Sequence, residues 1–325
     1  MAALESTGFS EILNDIEDYP IMPKPYSGIT HYIIKDDGVE NNVYPHKAIK
    51  GDPETVPDAD QQTGDIATQH DAKDVPGINN PYHILSHNSA FRKKLAGLFQ
   101  YGVDLQPIGE HTLHIHHHNR LMHSLDTAVN TEIIMRNNRF PEEKIQKAVL
   151  AALLHDIATP AFGDLTMKFF PQLKEETGFS KYMAYYPEKS AYIQQHWNIS
   201  VDQLQSWIKN EDLIGKIIDI TDRLAYTARD AYMSVGPEES LNVSDDSHGK
   251  KIQKIIKKDP RLADIIMEIS LTQDNGEYKI VFENTKRLED LLSVRAHMHN
   301  LIYLNPYLRS REEYFGLMLG YLVEK

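Results

Sequence analysis

His123, His155, Asp156 and Asp222 stand where imidazole and carboxylate are costly, each in an apolar, helically spaced stretch of the sequence. The stretch AALLHDIATPAFGD, residues 151–164, puts the problem most sharply, because a smooth apolar run leads directly into His155-Asp156. Ile145, Val149, Ala152 and Leu153 form one stripe; Asp156 continues it, with His155 about 100° round. A buried His–Asp hydrogen bond would account for that pair alone. His123, however, shares a helical pattern with Leu121, Leu125, Ala128 and Val129, and Asp222 shares one with Ile218 and Ala225. Two imidazoles and two carboxylates on separate apolar helices suit a divalent metal of borderline hardness, with manganese, magnesium, iron and zinc all compatible.

Two further spacings extend this chemistry. Asp222, Tyr226 and Asp230 fall at i, i+4 and i+8, on one face of one helix. Arg295, His299 and Tyr303 repeat the spacing on another. The first face can hold a metal at one end and a sugar or base further along; the second can hold a phosphate and then a hydroxyl-bearing ring. An amphipathic helix with a wet side would look the same. EHTLHIHHHNR, residues 110–120, carries five histidines, His111, His114, His116, His117 and His118. It reads as a solvated extended segment in preference to a second metal site. His117 and His118 adjoin Arg120 and are its candidate proton donors.

The elements that must position these residues are mostly helical. Pro141 followed by Glu142 and Glu143 opens a helix that runs to the His-Asp pair. Residues 1–79 form an N-terminal arm; within it, 35–74 contain ten acidic and four basic residues with no sustained period, which reads as a loop or linker. Helical periodicity holds over 80–233. SVGPEESLNVSDDSHGK, 234–250, reads as a break before a C-terminal part, 234–325, with a strand at 277–284 and one long helix from Thr285. The expected fold is mainly α: a helical bundle with a small C-terminal α/β extension that completes the site.

Composition narrows the partners. The net charge of −13 argues against broad nucleic-acid or acidic-membrane binding, and any anionic ligand needs a local cluster of arginines. With no cysteine, thiolate chemistry and cysteine-based metal sites are excluded. No secretory signal and no run long enough to span a membrane is visible, so the expected location is cytoplasmic.

HNRLMHSL, LLHDIATPAFGD, DRLAYTARD and RLEDLLSVRAHMHNLIYLNP, in that order over residues 82–310, resemble the four motifs of the deoxynucleoside triphosphate triphosphohydrolases, within the HD superfamily of metal-dependent phosphohydrolases. The resemblance implies an HD-domain helical bundle and one divalent metal held by His123, His155, Asp156 and Asp222. It also implies a nucleotide substrate, probed by phosphate contacts from Arg120, Arg223 and Arg295. Tyr226, Asp230, His299 and Tyr303 would then face the sugar or the phosphate chain. Arg229 reads as a structural ion-pair partner. The family is generally oligomeric, and a homo-oligomer is expected here. The sequence departs from the family just after the His-Asp pair, where Thr159 and Asp164 replace histidines that move protons. Asp164 is the substitute candidate for acid–base work. Three functional classes follow: a nucleotide phosphohydrolase, a catalytically weakened nucleotide sensor, and, ranking last because only His196 lies between the pair and Asp222, a di-iron oxygenase.

Overall fold

The computed structural model describes residues 32–35, 38–41, 81–82, 84–85, 89–98, 119–235, 251, 254–255, 262–274, 277–304 and 306–323. The chain divides into two compact units, 1–77 and 78–325. In the first, β1 (Tyr32–Lys35) and β2 (Gly38–Asn41) pair antiparallel with Tyr32 opposite Asn41 and Lys35 opposite Gly38. This hairpin overlaps the region the composition assigns to a loop. Its apolar residues, Ile33, Ile34 and Val39, are too few for a periodic signal.

The second unit is helical: α1 (Ser89–Ala96), α2 (Arg120–Asn137), α3 (Glu142–Leu154), α4 (Asp164–Phe169), α5 (Glu175–Ala184), α6 (Pro187–Trp197), α7 (Val201–Ile208), α8 (Leu213–Val235), α9 (Thr285–Met298) and α10 (Pro306–Val323). A two-stranded antiparallel sheet, β3 (Ile269–Asp274) with β4 (Glu277–Phe282), stands before α9. No helix among the described residues is long and apolar enough to cross a membrane.

The core sits where α2 packs on α3 and α8. Every residue of α3 from Ala148 to Leu154 is essentially inaccessible to water, which a helix sustains only when it is apolar all round. Each buried Leu in that run contributes about 2 kcal/mol. Asn119 caps α2 by accepting a hydrogen bond from the Met122 backbone N–H at 3.0 Å. At its far end Asn138 donates to the carbonyls of Ile134 and Ile269 and accepts from the Leu271 N–H, which ties α2 to β3.

Two expectations need correction. α3 stops at Leu154, and His155 is its C-terminal cap, so the His-Asp pair lies just past the helix. The single helix expected from Thr285 ends at Met298 and gives way to a π turn, His299–Tyr303. The strand expected at 277–284 is β4, and its partner β3 went unread because ISLTQD loses its apolar residues after Leu271.

Candidate metal centre

Three elements bring the first set of residues together. The Asn119 cap starts α2 so that Arg120 and His123 share one face. His155, still right-handed helical at φ −58°, ψ −36°, extends the end of α3 into the turn that carries Asp156. The turn closes through the Thr159 N–H, which donates to the Asp156 carbonyl at 3.0 Å. α8 supplies Asp222. α8 is locked against α2 one residue earlier, where the hydroxyls of Thr221 and Thr131 meet at 2.8 Å in a buried setting.

The result is a group of His123, His155 and Asp222 whose ligand atoms all lie within 4.8 Å of one another, able to hold a metal ion. Asp222 Oδ1 is 2.7 Å from His123 Nε2 and 3.6 Å from His155 Nε2. The two Nε2 atoms are 3.3 Å apart. Asp156 Oδ2 approaches the same nitrogens at 3.5 and 3.7 Å. Ligands about 2.1 Å from one cation stand about 3.0 Å apart at right angles and about 3.4 Å apart in a tetrahedron, and the separations in the cluster, 2.7–3.7 Å, bracket those values.

The orientation of the donors points the same way. The Nδ1 of His155 lies 2.6 Å from the Ala152 carbonyl. A carbonyl only accepts, so Nδ1 carries the proton and Nε2 offers its lone pair to the cluster. Asp156 Oδ2 is buried with no hydrogen-bond partner among the described residues. An orphaned carboxylate oxygen is expensive in a packed interior, and a cation relieves it. Without one, burial opposes protonation of His155, but Asp156 and Asp222 outweigh it and raise its pKa to about 9. Asp222 resists protonation despite burial, because both histidines donate to it. Asp156 is likewise held low against the effect of burial by Arg120 and the two histidines.

Arg120 differs from expectation. It is buried, with Nη1 donating to Asp156 Oδ1 and Nη2 to Asp164 Oδ1, both at 2.7 Å. It therefore grips two carboxylates. Asp164 begins α4 after Phe162 and Gly163, both left-handed at φ 65° and 55°. For Phe162 that conformation costs about 1 kcal/mol. Thr159 is buried.

From the cluster a row of side chains leads along α8. The Tyr226 ring is 6.5 Å from that of His123 and 6.4 Å from that of Tyr303. The Arg295 guanidinium lies 5.6 Å from the Tyr226 ring centre. Tyr303 donates to the buried carboxylate of Asp230, and its ring is 5.0 Å from that of His299. The π turn is what delivers this arrangement: the Leu304 N–H reaches back to the His299 carbonyl, widening the turn that carries Tyr303. Arg223 is directed elsewhere, donating through Nε and Nη2 to Asp219 at 3.1 and 2.8 Å. His196 stacks on Tyr192 at 3.9 Å and its Nδ1 meets the Tyr192 carbonyl. His117 and His118 lie outside the described residues.

Sequence reading missed two supports of the site. One is the Thr131–Thr221 contact, which no spacing pattern marks. The other is Asp126, three residues past His123, which accepts from Arg229 Nη2 at 2.7 Å and pairs α2 with α8. No curated protein matches the chain. Residues 120–227, the span holding every member of the cluster, match the family model of the HD domain.

Proposed function

We propose that this protein is a metal-dependent phosphohydrolase that acts on a nucleotide, with a (deoxy)nucleoside triphosphate as the preferred substrate class. The observation that carries this reading is the convergence of His123, His155 and Asp222 on one point beside the orphaned Asp156 oxygen. A divalent cation, one per chain, would withdraw charge from a phosphoryl oxygen and make water a better nucleophile. Manganese, magnesium, iron and zinc all suit the two-nitrogen, two-oxygen set.

The chain's own residues supply the remainder. Arg295, over the Tyr226 ring, and Arg223 neutralise charge on the phosphate chain. Tyr226, Asp230, His299 and Tyr303 face the sugar and fix where that chain lies. Arg120 holds Asp156 in register through Nη1. As the water oxygen bonds to phosphorus, its proton goes to a nearby base; as the P–O bond breaks, the leaving oxygen takes a proton up. Asp164, His117 and His118 are the residues placed by sequence for those transfers. Residues 80–233 carry the reaction and 234–325 complete the site. The resemblance to the triphosphohydrolases supports the substrate class and a homo-oligomeric assembly.

A second reading, a nucleotide sensor with weakened catalysis, draws on Thr159 and Asp164 at the positions of proton-moving histidines and on the engagement of Arg120 by two carboxylates. Incubation of the full chain with Mn²⁺ and a panel of nucleotides, followed by product analysis, separates the two. Release of tripolyphosphate, pyrophosphate or orthophosphate in many turnovers is expected and identifies the bond cut. Saturable nucleotide binding without turnover would establish the sensor, and neither binding nor turnover would sink both.

A further inference from the structure

Arg120 joins two carboxylates of opposite character. Its own side chain is 4% exposed and that of Asp156 is 3% exposed, whereas that of Asp164 is 65% exposed. The bond to Asp156 is thus made in a dry interior. Breaking it would leave a buried charge without its partner, which is strongly unfavourable. The bond to Asp164 is made by a carboxylate that is itself exposed, so water can take Arg120's place on Asp164 at little cost, whereas the buried Nη2 must keep an acceptor. One guanidinium therefore has a permanent side, Nη1, and an exchangeable side, Nη2.

Asp164 sits on a short segment packed on the C-terminal helix. It follows two consecutive left-handed residues, Phe162 and Gly163. The outer side of the same segment rests on α10. The Phe162 ring packs against Phe315 at 4.8 Å, Lys168 pairs with Glu313, and Gly316 leaves room for the Phe169 ring, which a Cβ there would strike. Pro160 to Phe169 thus lies between the buried arginine and the C-terminal helix, with its one inward-reaching carboxylate on Nη2.

We propose that Asp164 is an exchangeable internal anion: its carboxylate covers Arg120 Nη2 until a phosphate oxygen of the ligand displaces it, after which Arg120 bridges Asp156 and the ligand. The inference rests on the phosphate-binding reading above. A carboxylate and a phosphate oxygen offer an arginine fork the same acceptor geometry, so the exchange keeps the guanidinium satisfied throughout. This role precedes any proton transfer. It gives the chain a means of setting affinity by the strength with which Asp164 competes, and it places α10, through Phe315 and Glu313, in control of that competition.

The test uses inorganic tripolyphosphate as the probe, with the full chain and Mn²⁺ present, and measures its affinity by calorimetry for the unmodified protein and for Asp164→Asn. The measurement is made at about 0.1 M and about 1 M salt, because an effect transmitted through solvent is screened at the higher value. Removing the competitor should tighten binding roughly five-fold at about 0.1 M salt, the worth of one exposed ion pair, and a measurable gain should persist at about 1 M. In turnover, Asp164→Asn should lower KM. Unchanged or weaker affinity, or a gain confined to low salt, would overturn the proposal; so would a collapse of kcat with tripolyphosphate affinity unmoved, which would make Asp164 a proton carrier instead. If tripolyphosphate binds to neither protein, the phosphate reading itself fails and the exchange fails with it. If the unmodified protein binds and the variant binds no better, only the exchange fails.

Discussion

His155 and His299 stand at the two ends of one row of side chains, and their surroundings push the same imidazole in opposite directions. At the cluster end, burial works against a charged ring, yet Asp156 and Asp222 prevail and raise His155 to about 9. At the far end, burial together with Arg295 and Arg309 lowers His299 below its ordinary value. One end of the row gathers the carboxylates of Asp156 and Asp222 around two imidazoles, a set suited to a cation. The other is a cationic shelf suited to an anion. They share Tyr226, which touches both His123 and Arg295. A molecule with a metal at one end and a phosphate chain reaching along the row would satisfy both at once, which neither end does alone.

The largest effect should come from deleting a member of the anionic end. Disturbing a group that merely orients a metal ligand typically costs 10- to 100-fold in affinity or activity, and deleting a ligand costs more. Asp222→Ala should therefore lose bound metal, measured by elemental analysis, and more than about 100-fold of the hydrolytic rate. Asp230→Ala, two helical turns along the same face of α8, should keep its metal. Full metal occupancy in Asp222→Ala would show that the four residues do not meet around one ion.

Protons offer a finer probe of the same contrast. The carboxylates around His155 stabilise its protonated ring, so in the metal-free protein its contribution to stability is complete below about pH 6.5 and fades as pH rises through about 9. That contribution is of the order of 3 kcal/mol, so the melting temperature of the metal-free protein should fall over this interval. Metal binding must expel the same proton. Apparent metal affinity should then rise about tenfold per pH unit as pH approaches about 9 and level off above it. Asp156 and Asp222, both depressed, add no competing proton in that range. A metal affinity indifferent to pH between 7 and 9 would remove His155 from the ligand set.

The two ends also differ in how far the sequence announces them. The cluster residues interrupt strong apolar periodicity. Leu121 and Ala128, Leu153, and Ile218 with Ala225 are all buried, and a polar side chain on such a stripe has to face the interior. That logic reaches the helical class and the positions of His123, Asp156 and Asp222. It does not reach what Arg120 grips, because Asp164 approaches it from a turn whose left-handed Phe162 no propensity indicates. At the cationic end the four-residue spacing of Arg295, His299 and Tyr303 implies an uninterrupted α-helix, whereas the chain makes a π turn there. A single widened turn changes one backbone hydrogen bond and leaves the apolar pattern intact, so periodicity is blind to it. The hairpin β1–β2 is hidden for a simpler reason, since a four-residue strand offers only two alternations.

Arg223 sets the lower limit of these effects and so gives the contrast its sharpest form. It follows Asp222 in the chain, but its side chain is 51% exposed and paired with Asp219 one turn back, outward from the cluster. An exposed i, i+4 pair of this kind contributes about 0.3–0.5 kcal/mol, so Arg223→Gln should move the melting temperature by no more than about 2 °C. Its guanidinium belongs to the cationic shelf only when it leaves Asp219 for a ligand, an exchange of one surface partner for another. KM for a nucleoside triphosphate should therefore rise only about five-fold, with kcat and metal content unchanged. Metal content is the informative readout, because a neighbour of Asp222 that shaped the cluster would change it. A loss of bound metal in Arg223→Gln would mean that Arg223 helps shape the cluster, whereas a gain would mean that the positive shelf limits how much cation the carboxylates can draw.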